Sequence, residues 1–149
     1  MKNKLPLIGI FLLALAWACT SNDPAPSKMV GTWKLESAIA SDDSGTEIDF
    51  WSLVKALSPC AGEVTHTFNS DGTYSTFVPA GCVNDDDEPL TLLSASGGTY
   101  TLNNDTFSID LEGEQLEGDI AFSGNKAIVT INFTDEGGNS TLVLTFIRQ

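Results

Sequence analysis

The stretch EVTHTFNSDGTYSTFVP, residues 63–79, alternates in steps of two on both sides of Asp71-Gly72. Val64, His66 and Phe68 share one face before the turn, and Tyr74, Thr76 and Val78 share one face after it. Successive side chains of a strand point to opposite faces, so this pattern describes two half-buried antiparallel strands. Asp-Gly between two such runs signals a hairpin, because its tight turn needs residues at ease with positive φ. The same punctuation recurs downstream. GTYTLNN (98–104) and TFSIDLE (106–112) flank Asn104-Asp105, and QLEGDIAFSG (115–124) and KAIVTINFTD (126–135) flank Gly124-Asn125. STLVLTFIR (140–148) follows the DEGGN turn and ends the pattern.

Upstream, GTWKLESAI (31–39) alternates Trp33, Leu35, Ser37 and Ile39 against Thr32, Lys34, Glu36 and Ala38. Between this strand and the hairpin, the apolar residues Ile48, Trp51, Leu53, Val54 and Leu57 fall nearer a helical period. Pro59 stops that helix just before Cys60. The expectation is an all-β domain of eight strands in an antiparallel meander, with one short helix after the first strand. Closing such a sheet into a barrel removes both edges. Eight strands give a barrel that side chains fill or that holds one small molecule. Trp33, at the start of the first strand, is placed to plug one end, with Gly31 allowing close backbone approach. The last two strands carry apolar residues on both faces, among them Ile128, Val129, Ile131, Leu142, Val143, Leu144, Phe146 and Ile147. That predicts a cover over their outer face, either the helix or a partner.

The first 18 residues have a different character. Lys2 and Lys4 precede an apolar run from Leu5 to Ala18, too short for the roughly 20 residues of a membrane span. Ala16-Trp17-Ala18 is a small-x-small cleavage site followed by Cys19, as in a secretory signal. The leader resembles a bacterial lipoprotein signal, which implies that Cys19 is lipidated and becomes the mature N-terminus; simple secretion after Ala18 is the alternative. Residues 19–29 then form a polar, proline-containing tether, and 30–149 the barrel domain. Three cysteines fit this division. With Cys19 lipidated, Cys60 and Cys82 remain as a pair for a disulfide in an oxidising compartment. A metal site is the competing use, but there is no C-x-x-C and His66 is the only histidine. The net charge of −13 repels nucleic-acid phosphates and anionic lipid.

Gly31-Thr32-Trp33 resembles the G-x-W at the first strand of lipocalins. The ordered set of leader, G-x-W-x-L, Cys60 before the second strand and TFNSDGTYS (67–75) is similar to lipocalin-like domains of Bacteroidetes-type bacterial lipoproteins. The resemblance covers roughly Met29 to Arg148, and Arg148 is the sole candidate for the late-strand arginine that packs on the tryptophan. It implies a binding module of the cell envelope, held at the outer membrane by its lipid, facing the periplasm or the cell surface. The implied ligand is a small hydrophobic or amphipathic molecule, with no cofactor.

The candidate residues are weighed accordingly. Trp33, His66, Phe68, Tyr74, Tyr100, Phe107, Phe122 and Phe133 line a cavity if the barrel is hollow and form its core if it is filled. His66 is the polar contact that orients a ligand if its face points inward; otherwise it is an ordinary hydrogen-bonded barrel histidine or one at the surface. Asp85 to Glu88 lacks the loop spacing of a calcium site and reads as a solvated loop. The pairs Glu112/Glu114 and Glu117/Asp119 fall on faces expected to be wet, not in a hydrolase cleft. No G-x-S-x-G elbow is present, and no catalytic constellation is expected. The competing function is a filled barrel that docks an envelope protein through an apolar patch over Ile128, Leu142 and Leu144.

Overall fold

The computed structural model describes residues 27–80, 82, 97–111, 113–135 and 138–149. The leader, Cys19, most of the tether, Asp85–Glu88 and Glu112 lie outside the described residues. The strands are β1 (Gly31–Asp42), β2 (Glu47–Asp49), β3 (Thr65–Phe68), β4 (Thr73–Phe77), β5 (Gly97–Asn103), β6 (Thr106–Leu111), β7 (Glu114–Ser123), β8 (Lys126–Asp135) and β9 (Gly138–Arg148). Helix α1 (Phe50–Leu57) and a 3₁₀ turn (Pro59–Glu63) lie between β2 and β3. Each strand pairs antiparallel with the next from β3 to β9, and β1 pairs with both β3 and β9. Those pairings close an eight-stranded barrel, as the alternation predicts. The short β2 is an added strand on the upper edge of β1.

The predicted helix begins two residues later than its apolar pattern, because Ile48 belongs to β2. Asp49 caps α1, its Oδ1 accepting from the Ser52 amide at 2.9 Å. Pro59 opens the following 3₁₀ turn, where its missing N–H costs nothing. Of the five apolar residues in the pattern only Trp51 and Val54 are buried; Ile48, Leu53 and Leu57 are exposed.

A second correction falls in β1. The register between β1 and β9 shifts between Leu35 and Ser37, so Glu36 is an extra residue in the ladder. The inward face is therefore Trp33, Leu35 and then Ala38, and the expected placement of Ser37 and Ile39 beside Trp33 does not hold. A third concerns the last strands. Val129 pairs with Leu144 and Ile131 with Leu142, and Val129, Ile131 and Leu144 are buried. Leu142 and Leu144 thus face inward, and the expected outer patch over Ile128, Leu142 and Leu144 does not exist as one surface. Helix α1 packs chiefly on β1 and the 3₁₀ turn, not over β8 and β9.

The lower end of the barrel is plugged around Trp33, which is 1% exposed. Its Nε1 donates to the Met29 carbonyl at 2.7 Å, and the Arg148 guanidinium lies 4.3 Å from its ring centroid. Arg148 also donates to the carbonyls of Val30 and Lys28. Gly31 has φ +131°, and a Cβ there would stand 2.6 Å from Arg148 Nη1. Glycine is needed at 31 for both reasons. At the other end, the disulfide Cys60–Cys82 ties the 3₁₀ turn to the segment after β4.

Candidate functional site

Inside the barrel, one aromatic side chain from each of β4, β5 and β6 packs on Phe68 of β3. Tyr74 stacks on it at 5.7 Å, Tyr100 meets it edge-on at 5.0 Å and Phe107 at 6.0 Å. Both tyrosine hydroxyls are engaged: Tyr100 donates to the Asn69 carbonyl at 2.8 Å and Tyr74 to the Asp110 carbonyl at 3.3 Å. Beside this group lies a cavity of about 50 Å³. His66, Phe68, Tyr74 and Phe107 line it, together with aliphatic side chains from β1, β6, β7, β8 and β9.

The structure thus brings four of the eight aromatic and histidine candidates to the cavity and places the others elsewhere. Trp33 and Phe122 pack together in the plug, 6.4 Å apart. Tyr100 is buried behind Phe68. Phe133 is 40% exposed near the end of β8. The aliphatic lining, Leu35, Ile109, Leu116, Val129, Ile131 and Leu144, was not singled out as site residues. Alternation marks such residues as inward-facing, but it does not say at what height in the barrel a space is left.

His66 supplies the one unusual group. It is 7% exposed, and its ring sits edge-on to Phe146 at 5.9 Å. Its Nδ1 lies 3.1 Å from Thr76 Oγ1. Its Nε2 is buried and has no hydrogen-bond partner among the described residues. Burial pushes the imidazole down to about 4, so the ring is neutral at pH 7. A neutral imidazole has one N–H donor and one acceptor nitrogen. Whichever role Thr76 takes, Nε2 is left with the other, and the His66 ring lines the cavity. A buried polar atom without a partner costs about 1–3 kcal/mol, which a ligand's hydrogen bond would recover. Glu117 is the charged residue in the lining, and among the described residues no group of three His, Cys, Asp or Glu side chains is arranged to hold a metal ion.

A closed antiparallel barrel with an apolar interior cavity defines a class: the single-domain β-barrels whose architecture is suited to holding one small molecule. A family model for the lipocalin-like domain matches residues 29–126. The chain belongs to that family, whose members are typically binding proteins and not enzymes. No curated protein and no solved structure gives a significant match.

Proposed function

We propose that this protein is a lipid-anchored binding protein of the cell envelope, and that its barrel cavity takes a small hydrophobic or amphipathic molecule. The observation that carries the reading is the unpartnered Nε2 of His66, set in an otherwise apolar cavity. An apolar wall with one convergent polar group is how binding pockets fix orientation. The enclosed space is small. An apolar cavity of ~150 Å³ takes a benzene ring, so only a few non-hydrogen atoms of the ligand fit within the wall. The anchoring part of the proposal rests on the leader, on Cys19 and on the polar tether of residues 19–29 ahead of the barrel.

Native mass spectrometry of the protein expressed in a periplasm tests the binding reading. The expected result is a retained small molecule that leaves on denaturation and is absent from the His66→Leu variant. Retention by that variant at the same occupancy would remove His66 from the site. The second reading is an envelope protein partner docked on the outside. Its support is the exposure of Ile48, Leu53, Leu57 and Phe77, at 52% to 65% each. A ligand-free mass, with a protein cross-linked to α1 in the envelope, would favour it.

A further inference from the structure

The hydrogen-bond ladder of the barrel does not run the whole height of every strand pair. The β7–β8 ladder runs from Ser123↔Lys126 to Asp119↔Thr130, and among the described residues no pair continues it. Both strands go on beyond that point. β7 extends back to Glu114 while paired with β6, and β8 extends to Asp135 while paired with β9. Residues 115–118 and 131–134 therefore pair on one side only, and this unpaired stretch is a slot in the hydrogen-bonded ladder. Their side-chain hydrogen bonds point away from it: Gln115 donates to Ser108 on β6, Asn132 accepts from Thr141 on β9, and Thr134 donates to Asn139 on β9. Gly118 sits at the fork. A Cβ there would lie 2.4 Å from the Thr130 carbonyl oxygen and 3.0 Å from Ile131 Cγ1, so glycine permits the close approach at which the strands part.

The cavity reaches this slot. Leu116, Glu117, Gly118 and Ile131 border it. Leu116 pairs with Ile109 and Gly118 with Phe107, so both face inward. Glu117, between them, is exposed on the outer face. Glu117 and Gly118 border the cavity at the level where β7 has no partner on the β8 side. Phe133 follows Ile131 on the same face of β8 and is 40% exposed.

The chemistry narrows the ligand. The slot is walled by Leu116, Ile131 and Phe133, which suits an alkyl chain. Among the described residues no lysine or arginine borders the cavity, and the one acidic residue in its lining, Glu117, is exposed on the outer face. A carboxylate or phosphate head would be buried without a counter-charge. A hydroxyl or carbonyl needs only the one hydrogen bond that His66 Nε2 offers. The enclosed volume accommodates such a head with its first carbons, and the slot leaves a path for the rest of an extended chain.

Building on the cavity reading above, we propose that the ligand is an uncharged single-chain amphiphile, such as a long-chain alcohol or ester, whose head bonds to His66 and whose chain lies out through the slot between β7 and β8. The probes are 1-octanol and octanoate, followed by NMR at pH 7. As the protein has one histidine, its ring signals report the cavity without ambiguity. Octanol is expected to shift the His66 ring and the Leu116 and Ile131 methyl signals saturably, with octanoate at least about tenfold weaker. A disulfide across the slot, Glu117→Cys/Asn132→Cys, is expected to bind octanol at least about tenfold more weakly than Glu117→Ser/Asn132→Ser, which lacks the bond. Where that bridge does not form, Leu116→Trp fills the slot instead and is expected to weaken octanol to the same degree. Equal binding by bridged, Ser/Ser and Trp forms overturns the slot and leaves the cavity reading standing. Octanoate binding as tightly as octanol overturns the uncharged class. Failure of octanol to move His66 in the parent protein overturns both the proposal and the cavity reading.

Discussion

His66 carries two consequences that belong to a single side chain. Its imidazole titrates at about 4 in the folded protein because burial disfavours the cation. The unfolded chain takes up the proton near the ordinary 6.5. Above that value neither state is protonated and the folded protein keeps its full stability. As pH falls from 6.5 toward 4, only the unfolded chain binds the proton, and stability drains by on the order of 3 kcal/mol. Urea melts at pH 7, 6, 5 and 4.5 should show this slope, and His66→Leu should flatten it. An unchanged slope in that variant would mean that another group is titrating. The lowered carboxyls of Asp42, Asp49 and Asp71, each held by local hydrogen bonds to Ser and Thr groups, have their effect below 3.8, outside this window. His66 was visible in the sequence as the lone histidine, on one strand face with Val64 and Phe68. Its missing partner was not, because that depends on what every other strand puts beside it.

At the scale of elements, the partner His66 does have was decided by one turn. Asp71-Gly72 read as a two-residue loop would place His66 opposite Phe77. The observed turn is one residue longer: the Asn69 amide donates to the Thr73 carbonyl and Gly72 has φ +82°. His66 therefore pairs with Thr76, and Phe77 turns outward. A shift of one residue reverses every face of a strand, and the residue types in the turn are compatible with both lengths. The Glu36 bulge is the same kind of event in β1. The disulfide is an element-level staple that cysteine arithmetic did reach. It spans a sequence separation of 22, and such a loop contributes about 3 kcal/mol in the chain-entropy model. Cys60→Ser/Cys82→Ser should lower stability by about that amount in urea, and reductant should do the same to the parent protein while leaving the double variant unchanged. An equal response of both to reductant would show that the bond contributes nothing.

For the whole molecule, closure is the decisive property. Among the described residues β1 is the one strand that joins the two ends of the meander, holding β3 on one side and β9 on the other. The register of β1 with β9 runs from Trp33↔Arg148 to Asp42↔Ser140, so this seam is long, whereas the β7–β8 ladder stops at Asp119↔Thr130. Hydrogen exchange should reflect that asymmetry. Amides of the β1–β9 seam are expected to exchange near the rate of global unfolding, and the slot-facing amides of residues 115–118 and 131–134 at rates nearer those of turns. Uniform protection of both regions would show that the slot closes in solution.

The sequence by itself determined the all-β class, the hairpin order, the Cys60–Cys82 pair and the Gly31-Thr32-Trp33 plug. These are local properties: alternation, turn residues and short spacings act between near neighbours in the chain. Only the tertiary structure decided that Arg148 covers Trp33, that His66 Nε2 has no partner among the described residues, that the cavity is small, and that the β7–β8 ladder stops at Asp119↔Thr130. Each of those depends on contacts between residues far apart in sequence. Their register is set by single-residue features, a longer turn and a bulge, which the alternating pattern tolerates equally well with or without them.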